Sequence, residues 1–176
     1  MREVRAAWVG MGLLTGWVAW AASAHCIQPV RVVQDLGPEV HRLEARVGSE
    51  PTDEQALVAL GDHYLSAGAV GMAEAALQRA PRQLRAQPEV SDLRVRSLLA
   101  LGRADVALRL QQNLLSYCDS GEGHCSRNLS ARGQRRLAYL QALESAGVQN
   151  PASQPESARR ALRLASRTGS LQAESR

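Results

Sequence analysis

The chain has 176 residues, enough for one ordinary domain with short flanking segments, and 45% of them are apolar, enough for a core. Aromatic residues make up only 3% and Phe is absent, so the core must be built from Leu, Val and Ala. That composition favours closely packed helices over a sheet. All 21 basic side chains are Arg, which we attribute to GC-rich coding rather than to phosphate binding, and no nucleic-acid partner is predicted.

The first 24 residues have the layout of a secretory signal peptide. A net positive start, MREVR, is followed by an uncharged apolar run and by the small residues Ala22, Ser23 and Ala24. Two alternatives are an uncleaved membrane anchor through residues 6–24 and a lipid on Cys26, although His25 stands where a small residue is expected before a lipidated cysteine. All three export the rest of the chain, so we expect the periplasm or cell envelope, with membrane contact only in the two alternatives.

Charge is distributed unevenly along the remaining chain. Residues 25–126 carry 10 Arg and 13 acidic residues, whereas residues 127–176 carry 9 Arg and 3 acidic residues. The basic end, including the stretch QPESARRALRLASR, is a candidate second contact for an acidic partner or a membrane surface. The alternative is a solvated face of an Arg-biased chain.

A helical hairpin is predicted from residue 54 onward. Apolar residues recur at helical spacing up to Leu65, and Thr52 with Gln55 fits a capping box at the start of this helix. Gly68 interrupts the pattern, and residues 69–84 are predicted to form the second helix.

This hairpin resembles the tetratricopeptide repeat, a helical hairpin with a period of 34 residues. The matching positions are Leu57, Leu60, Gly61, Tyr64, Gly68, Ala73, Leu77 and Ala80. Leu57 and Leu77 depart from the family's Trp and Phe but stay apolar. The resemblance implies an all-α solenoid of about two to three helical hairpins that pack through small residues.

Further units follow at the same spacing, although they match the family pattern less well. A shift of 34 residues brings Gly68 to Gly102 and Ala73 to Ala107, while Arg94-Val95 replaces the Leu-Gly pair. A helix before Pro51 is predicted as an N-terminal cap, and a third unit is predicted from Gly133, with its second helix over residues 156–166. The expected domains are a linker at 25–37, the helical domain at 38–167 and a disordered tail at 168–176.

The spacing between Pro88 and Gly133 is 45 residues rather than 34, and the 11 extra residues are assigned to an inserted loop at 117–130. The loop contains Cys118, His124 and Cys125. Six residues between the cysteines do not form a redox C-x-x-C motif, and a zinc site would have three ligands with no obvious fourth. Export makes a Cys118–Cys125 disulfide the expected state. A small metal-binding or thiol-redox protein using Cys118, His124 and Cys125 stays as the alternative function.

No catalytic constellation is visible, so no enzyme activity and no cofactor are predicted. Asp62 and His63 are neighbours on a helix, point about 100° apart and do not form a dyad. The resemblance instead implies a non-catalytic module that binds another protein or a peptide on the concave face of the first helices. That face is predicted to consist of Gln55, Val58, Asp62, Leu65, Ser66, Glu89, Asp92, Arg96 and Leu99.

The chemistry of that face indicates which ligands it would accept. Val58 and Asp62 occupy positions where a subset of the family grips a terminal carboxylate, so such a clamp is contradicted. The expected ligand is basic or apolar. A structural subunit that stacks through its repeat ends is a third possible function.

Overall fold

Eight helices and no strand make up the part of the chain that the computed structural model describes, residues 36–120 and 125–174. The prediction of an all-α protein is confirmed. The predicted signal peptide, most of the predicted linker, Cys26 and His124 lie outside the described residues. The helices are α1 (Gly37–Ser49), α2 (Glu54–Ser66), α3 (Val70–Arg79), α4 (Arg82–Arg85), α5 (Pro88–Ala100), α6 (Ala104–Asp119), α7 (Arg127–Ser145) and α8 (Pro155–Glu174).

Helix α2 begins at the predicted residue but is capped by a different side chain. Asp53 is the N-cap, and its Oδ1 accepts a hydrogen bond from the backbone N–H of Ala56 at 2.9 Å. Arg46 of α1 also contacts the Asp53 carboxylate, at 2.6 Å. The predicted capping box of Thr52 and Gln55 is therefore wrong, because Asp53 is the stronger acceptor and is shared with α1.

The second helix of the first hairpin is shorter than predicted. It ends at Arg79 because Ala80 precedes Pro81, and the proline ring forces the residue before it into an extended conformation. Ala80 has ψ 147°, and the chain resumes as the four-residue α4. The continuous helix predicted over residues 69–84 is thus two helices separated by a proline.

The turns α2–α3, α5–α6 and α7–α8 begin in the same way, at Gly68, Gly102 and Gly147. Each glycine has a positive φ, between 67° and 76°, which L-residues with side chains rarely adopt. The N–H after each glycine bonds to a carbonyl five residues earlier, and the three acceptors are Tyr64, Leu98 and Leu143. This is the Schellman ending of a helix, and it recurs at all three glycines.

The helices pack in an order that links each hairpin to the next. Helix α1 packs on α2, α5 packs on both α2 and α3, and α7 packs on α6 and α5. The pairs α2–α3, α5–α6 and α7–α8 form hairpin 1, hairpin 2 and hairpin 3. Buried Leu, Val and Ala fill the space between them, as the composition predicts. The largest of these side chains are Leu57, Leu77, Leu93, Leu98, Leu140 and Leu143.

The 11 extra residues lengthen two helices instead of forming a long loop. Helix α6 has 16 residues against 10 in α3, and α7 has 19 against 13 in α2. Each is therefore six residues longer, while the connection at 120–126 is one residue shorter than that at 80–87. We call residues 114–119 and 127–132 the arm. The prediction of an inserted loop at 117–130 is corrected accordingly, since residues 117–119 and 127–130 lie within helices and Leu129 is buried.

Helix α8 ends the described chain and extends past the predicted domain boundary. Residues 168–174, predicted as part of a disordered tail, continue the helix to Glu174. Ala158 and Ala161 bury one side of α8 in the core, while Leu162 and Leu164 are more than half exposed. Across the described residues, no helix combines the length and the apolar character needed to cross a membrane.

Candidate functional site

The nine residues predicted to bind a partner lie on α2 and α5, two helices that contact each other. We call this surface the first-helix face. Gln55, Asp62 and Ser66 are exposed, and five others are partly buried. Asp92 is the exception, because it is buried. The five partly buried residues are Val58, Leu65, Glu89, Arg96 and Leu99.

Asp62 and Arg96 form an ion pair across the first-helix face. Arg96 Nη1 lies 2.6 Å from Asp62 Oδ1, and the side chains are 41% and 51% exposed. The two residues are 34 positions apart, so they occupy equivalent places on successive first helices. Because the guanidinium neutralises the carboxylate, this part of the face is less acidic than the sequence suggests.

Asp92 does not contribute to the accessible surface of the face. It is 5% exposed, and its carboxylate accepts a hydrogen bond from Arg136 Nη1 of α7 at 2.5 Å. The same nitrogen donates to Gln111 Oε1 of α6 at 3.0 Å. Asp92 is therefore part of an internal polar network, and its assignment to the binding surface is corrected. Buried carboxylates require such partners.

That network joins three helices at the base of the arm. Gln111 is fully buried, and its Nε2 has no hydrogen-bond partner within the described residues. A Cβ added to Gly133 of α7 would lie 3.0 Å from this nitrogen and 3.0 Å from Leu115 Cδ2. Gly133, interpreted from the sequence as the start of a repeat, therefore lies within α7, where it allows close contact with α6.

Negative charge remains on the face at its other end. Glu54 and Glu89 lie in the first turns of α2 and α5, and neither forms an ion pair within the described helices. Burial, followed by the negative charge of Glu89, raises the pKa of Glu54. We call this pair the acidic corner, and it is the part of the face best suited to a cationic group.

Cys118 and Cys125 form a disulfide, as predicted. Cys118 lies near the end of α6 and Cys125 just before α7, with their Cα atoms 5.4 Å apart. Two sulfurs joined to each other cannot act as zinc thiolates. Within the described ranges, no three His, Cys, Asp or Glu side chains are grouped to hold a metal ion. His124 lies outside those ranges.

The sequence did not indicate a cleft of about 590 Å³ between α1, α2 and α3. Its floor is formed by Leu57, Leu60 and Tyr64, which lie on a different side of α2 from Asp62. Ala75 and Ala76 of α3 are part of one wall. The gap depends on how far α1 stands from α3, a distance that helical spacing within one helix does not encode.

A hydrogen bond between Tyr64 and Glu44 lies within this cleft. The Tyr64 hydroxyl donates to Glu44 Oε1, and this bond is the main cause of the lowered pKa of the Glu44 carboxyl. His41 Nδ1 lies 3.3 Å from the other Glu44 oxygen. Burial, together with the Glu44 charge, raises the pKa of Tyr64 well above its usual range.

Comparison with protein-family models, curated proteins and solved structures finds no match to this chain. The geometry of the chain itself is therefore the basis for assigning a function.

Proposed function

We propose that the protein is an exported, non-catalytic interaction or assembly module of the bacterial cell envelope, built as a tetratricopeptide-like solenoid. It binds another protein or a peptide on the first-helix face. The partner contributes a basic or apolar segment, which lies against the acidic corner and the neighbouring apolar side chains.

The repeated turns support the solenoid part of this proposal. The same glycine conformation and the same hydrogen bond recur at Gly68, Gly102 and Gly147. Helix α5 contacts both helices of hairpin 1, as the first helix of a following repeat would do.

One observation carries the choice of face. Asp62 and Arg96, one repeat apart, meet across the gap between α2 and α5, so these helices present equivalent positions side by side. Beside them, Val58, Leu65 and Leu99 are partly exposed apolar groups. A surface with apolar contacts and a charged edge is suited to a peptide segment.

Site-specific photo-cross-linking in a bacterium that makes the protein tests this assignment. We expect a cross-linker at Gln55 or Ser66 to capture one discrete partner, and a cross-linker at the exposed Arg82 of α4 to capture none. Replacing both Glu54 and Glu89 by Gln should reduce the yield several-fold, because the acidic corner loses its charge. Capture of a second copy alone would favour a structural subunit, and equal capture from Arg82 would reject the face.

Export is tested separately by cell fractionation and by the mass of the recovered chain. Cleavage after Ala24 predicts a periplasmic protein that begins at His25. Recovery of the intact chain from the membrane fraction would indicate an anchor, and recovery of the intact chain from the cytoplasm would contradict export.

A further inference from the structure

The cleft between α1, α2 and α3 is separate from the first-helix face, and nothing in the proposed function uses it. It runs along α2 from Leu57 to Tyr64, about 10 Å at the helical rise of 1.5 Å per residue. Its volume of about 590 Å³ lies in the range of small-molecule sites.

Small side chains keep the cleft open. Helix α3 contributes Ala75 and Ala76 to it, and α1 contributes Gly48, where an added Cβ would meet no atom within 4 Å. Leu57 stands at the floor where the repeat family carries Trp. The space is therefore a consequence of residue size at several positions, and larger residues would fill it.

The walls restrict the chemistry of an occupant. They are mainly helices, whose mid-helix amides are already hydrogen-bonded, so an extended peptide would find few backbone partners and would leave its own amides unpaired. A helix is about 10 Å in diameter, as wide as the cleft is long, so a helical segment would not fit within the cleft. An alkyl chain brings no polar groups and meets the apolar floor directly.

The charges at the cleft favour an anionic head group on that chain. Glu44, towards the Tyr64 end, is already engaged by the Tyr64 hydroxyl and by His41. Arg79, towards the Leu57 end, is exposed and forms no ion pair with any described residue. A guanidinium at the mouth of an apolar cleft is suited to a carboxylate.

We propose that this cleft binds a medium-chain fatty acid, whose length matches that of the cleft, with the alkyl chain along Leu57, Leu60 and Tyr64 and the carboxylate at Arg79. The site is independent of the protein-binding face, so either can fail without the other.

Isothermal titration calorimetry tests the site, with the full chain purified in the form that the expressing cell makes. The ligands are octanoate and octanol, whose extended chains are about as long as the cleft. We expect saturable one-to-one binding of octanoate. Ala76→Leu, which fills the cleft, should weaken binding at least tenfold, whereas Ala45→Leu on the exposed side of α1 should not change it.

The head group is tested by Arg79→Gln against Arg85→Gln, an exposed arginine that does not line the cleft. We expect Arg79→Gln to weaken the binding of octanoate about fivefold to tenfold and to leave the binding of octanol unchanged, with no effect of Arg85→Gln. Absence of saturable binding in the wild type, or equal loss for both arginine variants, overturns the proposal. If Ala76→Leu does not fold, the variants of the exposed residues Arg79 and Arg85 still decide whether the cleft binds a fatty acid.

Discussion

Hairpins 1 and 2 are joined in one way, and hairpins 2 and 3 in another. The first junction has an eight-residue connection that contains Pro81 and α4, and its two ion pairs among the described residues are the half-exposed Asp62–Arg96 and the largely buried Glu74–Arg94. The second has a seven-residue connection closed by a disulfide, and its ion pair, Asp92–Arg136, is buried.

The difference between the junctions shows how the same packing of helical hairpins accommodates helices of two different lengths. At the first junction, a proline stops α3 soon after the helices meet, and two ion pairs link α5 to the helices of hairpin 1. At the second, α6 and α7 continue for six further residues each. The longer pair needs partners of its own, and it has them in buried leucines, an internal polar network and a covalent closure.

The largest expected effect is the loss of the buried pair at the second junction. Arg136→Met leaves the Asp92 carboxylate buried without its counter-charge, and we expect the free energy of unfolding to fall by about 3 kcal/mol. Arg96→Met, which removes the half-exposed pair of the first junction, should cost less than about 1 kcal/mol. Urea denaturation measures both.

A double replacement sharpens this test. Asp92→Leu with Arg136→Met removes both charges and should recover most of the stability lost in the single variant, because no unpaired buried charge remains. Equal losses for Arg136→Met and Arg96→Met would show that burial does not make the Asp92–Arg136 pair more important than the half-exposed Asp62–Arg96 pair.

The next effect is that of the disulfide. Replacing Cys118 and Cys125 by Ser should lower the free energy of unfolding by about 2.5 kcal/mol, from the entropy of closing a short loop. Hydrogen exchange should accelerate in the arm, while hairpin 1 keeps its protection. Uniform acceleration over all helices would indicate that the disulfide supports the whole domain.

Gly61 at the first junction and Gly133 at the second allow the closeness of helix packing at the two junctions to be compared. A Cβ at Gly61 would come close to one side chain, a Leu93 methyl at 3.1 Å, whereas a Cβ at Gly133 would come close to two, a Leu115 methyl and the Gln111 amide, each at 3.0 Å. We expect Gly133→Ala to be less stable than Gly61→Ala by about 1 kcal/mol, because overpacking at Gly133 exceeds the gain in helix propensity. Thermal unfolding measures the difference, and the reverse order would contradict it.

An effect as small as the difference between the glycine variants is expected at the N-terminal end, where α1 meets α2. Tyr64→Phe removes the hydrogen bond to Glu44 and should cost about 1 kcal/mol near pH 7. Because the pKa of Glu44 is lowered, this contribution is lost as the pH falls through that lowered pKa. Because the pKa of Tyr64 is raised, the contribution begins to decline once the pH rises beyond the ordinary tyrosine value of 10.0, and it is lost as the pH rises through the raised pKa.

Unfolding temperatures measured from pH 3 to 11 test this dependence. The difference between wild type and Tyr64→Phe should be constant from pH 6 to 9 and should narrow at both extremes. A difference that does not change with pH would assign the role of Tyr64 to packing alone.

Local chemistry made part of the fold predictable. Gly68 and Gly102 marked two of the turns because a positive φ favours glycine, and the start of α2 followed from apolar spacing. Pro81 was visible in the sequence, but apolar residues on both sides of it suggested one continuous helix. Tertiary contacts decided the rest.

The errors at the second junction have one physical cause. Gly133 is a poor helix former, so it was interpreted as a boundary, yet close packing against Gln111 and Leu115 keeps it within α7. Asp92 was placed on the surface because its partner, Arg136, lies 44 residues away on another hairpin.

The cleft at Tyr64, away from the second junction, was missed because its size depends on the separation of α1 and α3.

The two six-residue extensions have a consequence for how this chain can change in length. Six residues turn a helix through about 600°, so an extension of one helix alone would point the chain away from its return path. The outgoing and returning helices, α6 and α7, are each six residues longer than their counterparts, and the glycine turns at their other ends have the same geometry as the turn at Gly68. We expect the arm to tolerate insertions or deletions of equal length in α6 and α7, because the turns at Gly102 and Gly147 lie at the opposite ends of these helices.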